Sequence, residues 1–421
     1  MGERLPRTLV AFPGVPRFAQ QAALAFLEVG ALDRYATSFA FDEDGILGRL
    51  LAAMHTRRAG AILAQLRRRT LGDLPKSVVD TQDLGEIVHT LAAKLGAGPI
   101  MTDRVWDAMS LAYTRGVARR LRSAKAVYAY EYTALEAFER ARELGLPRIL
   151  DFPSLNSRQY KALQDEQMRR FPELATANDA YFAGKFEQRQ ARRDREMHLA
   201  DVIITNSGLT RRSHIAGGAD PDKTFAIPYG APANLADPTT FAPQPDRPLK
   251  AVWAGTFNIR KGAHYLLEAW RTIERGAATL EAYGAIDLPQ QLLEHTPEGL
   301  SFRGSIPQGQ LLNVFEAADV LVFPTLSDGF GMVVTEAFSR GLPVITTEQA
   351  GAADLVRHGE NGLIVPAGDA AALADALRWC LDNRQRLYEM RFAALETARG
   401  WQWSDYRRGL REAVAAGLAR M

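Results

Sequence analysis

Residues 323–344, FPTLSDGFGMVVTEAFSRGLPV, join a buried strand, a polar turn and the glycine-rich start of a helix. The apolar run Val320–Phe323 predicts the strand, and Gly329-Phe330-Gly331 precede a helix that carries Glu336. Short apolar strands alternating with helices are typical of parallel sheets covered by helices on both faces. The glycines let backbone N–H groups approach a ligand, and a helix N-terminus favours an anion. This stretch therefore predicts an α/β fold with an anion-binding edge.

The same alternation of strand and helix extends over both halves of the chain. The predicted strands are Thr8–Phe12, Ala126–Tyr130, Arg148–Phe152, Val202–Thr205, Phe225–Pro228, Lys250–Ala254, Thr279–Tyr283, Leu300–Arg303, Val320–Phe323, Val344–Thr346 and Gly362–Val365. Residues 229–247 are proline-rich and lack hydrophobic periodicity, which predicts a linker. We therefore predict one domain over residues 1–228 and a second over 248–399, both doubly wound and Rossmann-like, with a deep ligand-binding cleft between them.

Length and composition exclude several classes of protein. A chain of 421 residues suits two domains, and 47% apolar with 24% charged residues is the balance of a globular protein. The single cysteine, Cys380, excludes a disulfide framework and a cysteine-based zinc site. No run of about 18 apolar residues occurs, and Met1–Arg7 lack an apolar signal core, so we expect a cytoplasmic protein. The net charge of +2 gives no indication of nucleic-acid binding.

Two carboxylates and a basic pair are the candidate chemical groups of the second half. Asp328 and Glu336 flank the glycine turn, where carboxylates accept hydrogen bonds from sugar or ribose hydroxyls. In the alternative interpretation Asp328 caps a helix and Glu336 is a surface charge. Arg260-Lys261 lie in residues 252–262, VWAGTFNIRKG, between a strand and a helix, where they are placed to neutralise a diphosphate. The alternative is a solvated charge pair.

These motifs together resemble the donor-binding half of retaining GT-B glycosyltransferases, the family called glycosyltransferase group 1 or family 4. The family's EGFGxxxxEAxxxGxPVI stretch is similar to residues 328–345, with Asp328 in place of the first Glu. The family's GRxxxxKG loop is similar to residues 255–262, GTFNIRKG, with Thr256 in place of Arg. The resemblance covers about residues 185–400 well and the preceding part loosely. It implies two Rossmann-like domains and a last helix, within 400–421, that crosses back to the first.

The resemblance also implies a role for each motif residue. Glu336 would bind the ribose of a nucleotide sugar, and Lys261 with Arg260 would hold its diphosphate and stabilise the leaving group. Asp328 would contact the donor sugar. The remaining implied donor contacts are Gly255, Thr256, Gly329, Phe330, Gly331, Met332 and Val333, with Arg303 and Gly304 near the base. Enzymes of this family retain the anomeric configuration and need neither a metal nor a cofactor beyond the UDP- or GDP-type donor.

The first domain departs from the family pattern at one position. The family commonly has a His facing the donor sugar, and this chain has Asn156 there, within residues 149–158, ILDFPSLNSR. Asn156 is able to hydrogen-bond a sugar but not to relay a proton. Asp151 is a candidate base, or alternatively a turn-capping residue. Gly14, followed by Arg17, occupies the position of the family's phosphate-facing loop, and Glu131 is a candidate acceptor contact.

The acceptor predicted from the resemblance is a glycan or a lipid-linked sugar, as in polysaccharide biosynthesis. Arginines between residues 49 and 70 predict peripheral contact with the inner face of an anionic membrane, the alternative being a solvated helix face. Two other functions stay open at this point. The substitutions at Asp328, Thr256 and Asn156 are compatible with an inactive sugar-binding scaffold, and the fold is also compatible with a nucleotide-sugar epimerase.

Overall fold

The chain folds into two parallel β-sheets whose strands alternate with covering helices. The structure is a computed structural model that describes residues 5–54, 56, 60, 62–63, 66–67, 69–72, 74–81, 98–172, 178–243 and 246–421. Each sheet buries nearly continuous apolar strands between two helical layers, as parallel sheets require. The predicted α/β class is therefore confirmed.

The first sheet has seven strands within the described residues, in the spatial order β3-β2-β1-β4-β5-β6-β7. These strands are β1 Thr8–Ala11, β2 Leu32–Thr37, β3 Val79–Thr81, β4 Ala126–Tyr130, β5 Arg148–Phe152, β6 Val202–Thr205 and β7 Thr224–Ala226. Its helices are α1 Arg17–Leu27, α2 Ile46–Ala53, α3 Pro99–Arg119, α4 Leu135–Glu143, α5 Ser157–Arg170, α6 Asp179–Leu199 and α7 Gly208–Ala216. The sequence analysis did not predict β2, because Asp33 and Arg34 interrupt its apolar pattern.

The second sheet has six strands in the described part of the chain, in the order β12-β10-β8-β13-β14-β15. These strands are β8 Leu249–Ala254, β10 Ala278–Tyr283, β12 Leu300–Gly304, β13 Val320–Phe323, β14 Val344–Thr347 and β15 Gly362–Val365. The short strands β9 Phe257–Asn258 and β11 Ile286–Asp287 pair with each other beside it. Its helices are α8 Ala263–Trp270, α9 Gln290–Leu293, α10 Gln308–Ala317, α11 Met332–Phe338, α12 Ala370–Asp382 and α13 Arg384–Gly400.

The last helix, α14 Trp403–Leu418, returns to the first domain and packs along α1. Arg411 contacts the Glu28 carboxylate at 2.5 Å, and Arg407 contacts the same carboxylate at 2.6 Å. Gly417 lies against the Val202 side chain, where a Cβ atom would come within 2.6 Å of it. The chain therefore crosses between the domains twice. Among the described residues, no helix is long and apolar enough to cross a lipid bilayer.

Candidate functional site

A cavity of about 360 Å³ lies between the two domains, at the carboxyl ends of β5, β6, β8 and β13. Open parallel sheets bind ligands at these ends, because the loops that follow the strands converge there. The residues that line this cavity, called the interdomain cavity below, are Phe18, Pro153, Asn206, Tyr229, Ala254, Gly255, Lys261, Leu311, Asp328, Phe330, Gly331, Met332, Val333 and Glu336.

The loop after β8 carries the basic pair and fixes its position. The Asn258 side chain accepts a hydrogen bond from the Lys261 N–H at 3.1 Å and so caps the short 3₁₀ turn Ile259–Lys261. Gly262 follows with φ +76°, and its missing Cβ would lie 2.0 Å from the Pro324 carbonyl oxygen. Only glycine fits there, because any other residue would be strained at this positive φ and its Cβ would clash with the Pro324 backbone. The turn holds Lys261 toward the interdomain cavity.

Lys261 and Asp328 line the interdomain cavity, and Arg260 joins them in one charged group from behind the wall. The Lys261 Nζ atom lies 3.1 Å from Asp328 Oδ2, and an Arg260 guanidinium nitrogen lies 3.5 Å from the same oxygen. Arg260 also donates to the Ser327 carbonyl at 2.8 Å. Burial alone would raise the pKa of Asp328, but the Lys261 ammonium and the Arg260 guanidinium hold that pKa below its usual value. Asp328 is therefore ionised at neutral pH.

The glycine turn brings backbone N–H groups to the same wall. Asp328 Oδ1 accepts from the Phe330 N–H at 3.3 Å, which closes the turn. Gly331 then adopts φ +86° at the start of α11, where a Cβ atom would lie 2.7 Å from the Phe323 ring. The first N–H groups of a helix have no acceptor within the helix. Met332 and Val333, the first two residues of α11, both line the interdomain cavity.

Glu336 lies one turn further along α11 and is half-buried at the cavity. The Gln308 side-chain amide donates to Glu336 Oε1 at 2.5 Å and orients it. Burial raises the pKa of Glu336, an effect that the Gln308 hydrogen bond and the positive charge of Arg17 partly offset. A carboxylate oriented in this way is suited to accepting hydrogen bonds from two hydroxyl groups.

The first domain contributes an aromatic wall that the sequence analysis did not identify. The Phe18 and Tyr229 rings stack at 5.4 Å, and Tyr229 meets the Phe330 ring edge-on at 5.2 Å. Asn206 donates to the Pro153 carbonyl at 2.8 Å beside them. Tyr229 was assigned to the linker, but it is buried in the core of the cleft. The only signal in the sequence was that Pro153 and Asn206 directly follow predicted strands.

Residues of the first domain contact the glycine turn of the second domain directly. Ser207 Oγ and Thr210 Oγ1 each donate to the Gly329 carbonyl, at 2.7 and 2.9 Å. The Gly208 N–H donates to Asp354 Oδ2 at 2.7 Å. The position of a Gly329 Cβ would be only 2.4 Å from the Pro153 carbonyl oxygen, so the two backbones touch. The two domains are therefore in direct contact beside the interdomain cavity in this structure.

The structure does not bring Asp151 and Asn156 into the interdomain cavity. Asp151 is 1% exposed and accepts from the Tyr128 hydroxyl inside the core. Burial raises the pKa of Asp151 to about 7. Asn156 caps α5 by accepting from the Arg158 N–H at 3.0 Å, which is a structural use of its side chain. Both side chains therefore contact groups of the first domain, although Asp151 Oδ1 is buried without a hydrogen-bond partner among the described residues.

Other predicted contacts lie around the cavity rather than on its surface. The Gly14 carbonyl accepts from the Tyr35 hydroxyl at 2.7 Å. Arg303 is paired with Glu281 at 2.6 Å, and Gly304 is an exposed residue with φ +70° at the end of β12. Thr256 is half-buried between Gly255 and β9. None of these four residues lines the cavity in the described structure.

Glu131 follows β4 and faces away from bulk solvent. It accepts from the Ser154 hydroxyl, and Arg193 lies 3.6 Å from its other oxygen. Burial raises the pKa of Glu131, against the opposing charge of Arg193. In the ranges that the structure describes, no three His, Cys, Asp or Glu side chains are grouped so as to hold a metal ion.

Comparison with known families identifies the second domain. The model of the family described as Glycosyl transferases group 1 matches residues 248–383. A D-inositol 3-phosphate glycosyltransferase of Nocardia farcinica is 30% identical over 52% of this chain and 53% of its own length. The enzyme of the same description from Corynebacterium efficiens is 36% identical over 55% of this chain and 61% of the relative. The chain thus spans roughly half to three-fifths of these curated relatives.

Solved structures match the fold of the whole chain. Sucrose-phosphate synthase from Thermosynechococcus elongatus superposes with a TM-score of 0.62 at 18% identity, over 99% of this chain and 100% of its own. The Anabaena protein Alr3699/HepE, in complex with UDP-glucose, superposes with a TM-score of 0.60 at 16% identity, over 97% and 99%. These comparisons confirm the predicted resemblance and the predicted GT-B fold.

Proposed function

We propose that this chain, whose residues 248–383 match the Glycosyl transferases group 1 family and whose fold is that of GT-B glycosyltransferases, transfers a sugar from a nucleotide-sugar donor to an acceptor hydroxyl. One observation carries the proposal. The Lys261 ammonium faces the interdomain cavity, next to Asp328 and on the same wall as a helix start that offers backbone N–H groups. This combination of groups suits a nucleoside diphosphate.

The donor is held by the second domain. Lys261 and Arg260 neutralise the diphosphate, and the N–H groups at Gly331 and Met332 bind its oxygens. Glu336 accepts hydrogen bonds from the ribose hydroxyls, which its half-buried position favours. The complex of the Anabaena protein with UDP-glucose supports a uridine nucleotide as the first donor to test.

The chemical step is a substitution at the anomeric carbon of the donor sugar. The acceptor oxygen forms a bond to that carbon, and the bond from the carbon to the diphosphate oxygen breaks. The electron pair of the broken bond leaves with the diphosphate, and the acceptor's hydroxyl proton passes to the departing phosphate oxygen. Lys261 and the backbone N–H groups stabilise the charge that develops there. Attack from the face of the leaving group gives retention, and these residues perform the step without a metal or a further cofactor.

The acceptor and its location complete the proposal. We assign transfer to a glycan or lipid-linked sugar on the inner face of a membrane. Leu50 on α2 and Met54 directly after it are 59% and 58% exposed near Arg49, a combination that suits an anionic lipid surface. Arg67 contributes less, because it is paired with the Glu43 carboxylate. Several other arginines of residues 49–70 lie outside the described residues.

Thermal stabilisation by nucleotides tests the donor site. Purified protein is melted with UDP, GDP, ADP, dTDP and CMP and with the corresponding nucleotide sugars. A ligand at 100 times its Kd adds about 2.7 kcal/mol to the free energy of unfolding, which gives a clear rise in Tm. We expect one base class to stabilise the protein, and transfer to follow with the sugars of that class.

Two variants connect the result to the cavity. Lys261→Ala and Glu336→Ala are expected to abolish the rise in Tm and to lower turnover by about 10²–10³-fold, because each removes a charged side chain that contacts the nucleotide sugar. Lys250→Ala, an exposed lysine of β8 outside the cavity, is the matched control and should behave as the wild type. A flat panel with the wild type, or full activity in either cavity variant, would refute the proposed function.

A further inference from the structure

A second cavity, of about 490 Å³, shares the basic loop with the interdomain cavity. Lys261 lines the interdomain cavity, whereas Asn258, Ile259 and Arg260, the residues before it, line the second. Helices α5 and α6 of the first domain form the opposite wall. We call it the α5–α6 cavity. The two cavities are therefore separated by a single turn of chain that carries both candidate cations.

The α5–α6 cavity has the chemistry of a carbohydrate site. Three aromatic side chains line it, Tyr160 from α5 and Phe182 and Phe186 from α6. Gln164 and Asn258 add side-chain amides, and Asp287 adds an exposed carboxylate. Ligand sites combine apolar and aromatic walls with a few polar groups that fix orientation. The C–H faces of a pyranose ring pack on aromatic faces, while its hydroxyl groups take hydrogen bonds from amides and carboxylates.

The charges around this cavity favour a neutral ligand. The Lys161 Nζ atom lies 2.6 Å from the Asp165 carboxylate and 5.7 Å from the centre of the Phe186 ring. Arg260 contacts Asp328 at 3.5 Å and the Ser327 carbonyl at 2.8 Å. Lys161 is thus already paired within this chain, and Arg260 is the cation that we assign to the donor's diphosphate. An anionic ligand would also approach the Asp287 carboxylate, which is a repulsive contact.

We propose that the α5–α6 cavity binds the acceptor as a neutral sugar, whose hydroxyl reaches the donor past Arg260. This inference rests on the proposed function, since it names the second substrate of the same reaction. The geometry supports it because Arg260 lines the α5–α6 cavity, Lys261 lines the interdomain cavity, and these neighbouring residues both contact Asp328, so a single turn of chain separates the two sites. The site also explains why Phe182 is left 39% exposed.

Saturation-transfer NMR on the full chain tests the site. The probes are methyl β-D-glucopyranoside, methyl α-D-mannopyranoside and methyl β-D-galactopyranoside, with glucose 6-phosphate as the anionic comparison. Phe182→Ala removes an aromatic face, and Ala183→Trp fills the cavity from an exposed position without removing a contact. Phe392→Ala is the matched control, because Phe392 is 40% exposed and lies outside the cavity.

We expect at least one methyl glycoside to bind the wild type and F392A, with the signal falling at least fivefold in F182A and in A183W. Tighter binding of glucose 6-phosphate, equal signals in all four proteins, or no binding of any glycoside would overturn the inference. Stabilisation of the same four proteins by the nucleoside diphosphates separates the two proposals. If that stabilisation is unchanged while the glycosides fail, the donor site stands and only the acceptor site is wrong.

Discussion

Lys261 and Asp328 are in contact at 3.1 Å on one wall of the interdomain cavity, although they are 67 residues apart in the chain. Each follows a strand of the second sheet, β8 for Lys261 and β13 for Asp328, and these two strands are neighbours. The paired Lys261 ammonium is partly buried and lies 4.8 Å from the centre of the Phe323 ring. Asp328 therefore orients the cation that we assign to the leaving group.

Removing the Asp328 charge should separate binding from turnover. Asp328→Asn removes the negative charge that is paired with Lys261 and Arg260. Because this charge competes with a diphosphate for the two cations, a nucleoside diphosphate is expected to bind at least as tightly as to the wild type. Turnover should fall about 100-fold, because the Lys261 ammonium loses the contact that orients it. Calorimetric titration and a transfer assay measure the two effects. Asp382→Asn, at an exposed position of α12, is the control and should leave both values unchanged.

The conformation of Gly331 predicts a specific effect of a methyl group. Gly331→Ala places a Cβ 2.7 Å from the Phe323 ring at φ +86°, so we expect a loss of about 2 kcal/mol in the free energy of unfolding. Gly309→Ala is the matched change in α10, where nothing lies within 4 Å of the new Cβ. That variant should gain about 0.5–1 kcal/mol. Urea unfolding of both variants measures these changes in the free energy of unfolding. Equal changes in the two variants would contradict the assigned glycine conformations.

Two hydroxyl groups hold the domains together at the Gly329 carbonyl. The double variant Ser207→Ala/Thr210→Val leaves this buried acceptor without either donor, at a cost of about 1–3 kcal/mol to the closed state. We expect transfer to slow about tenfold or more and the radius of gyration in solution X-ray scattering to increase. Each single variant keeps one donor and should show a smaller effect. A double variant as active and as compact as the wild type would show that these bonds do not hold the cleft closed.

Asp151 predicts a fall in stability as the pH rises. Its folded pKa of about 7 lies above the usual value of 3.8, so folding favours the protonated acid. The stabilisation is fully present below pH 3.8 and is lost as the pH rises through about 7. Asp151→Asn mimics the protonated form, so we expect a greater free energy of unfolding than wild type at pH 8 and a smaller gain at pH 5, where part of the stabilisation remains.

Urea unfolding at these two pH values, together with a transfer assay, measures the effect of this substitution. Since Asp151 lies in the core away from the interdomain cavity, D151N should keep near-normal transfer activity. A loss of transfer by several orders of magnitude in a stably folded D151N protein would instead support the sequence-based assignment of Asp151 as a base.

The sequence by itself determined the elements and the motifs of the second domain. Apolar runs such as Val320–Phe323 and Val344–Thr346 match strands β13 and β14. A strand that is buried on both faces is formed mainly by apolar residues, so it is visible in the sequence as a continuous apolar run. The motif residues Lys261, Asp328 and Glu336 line one cavity, since loops after neighbouring parallel strands lie at the same edge. These relationships are local or fixed by the topology of the sheet.

Only the tertiary structure decided which groups of the first domain join them. Phe18, Tyr229 and Asn206 come from three separate segments, and no spacing in the sequence indicates that they share a wall. From the sequence, Asp151 was a candidate base and Asn156 a candidate sugar contact, yet Asp151 is buried beside Tyr128 and Asn156 caps α5. The burial and hydrogen bonding of a polar side chain depend on contacts between distant segments, which form only when the chain folds.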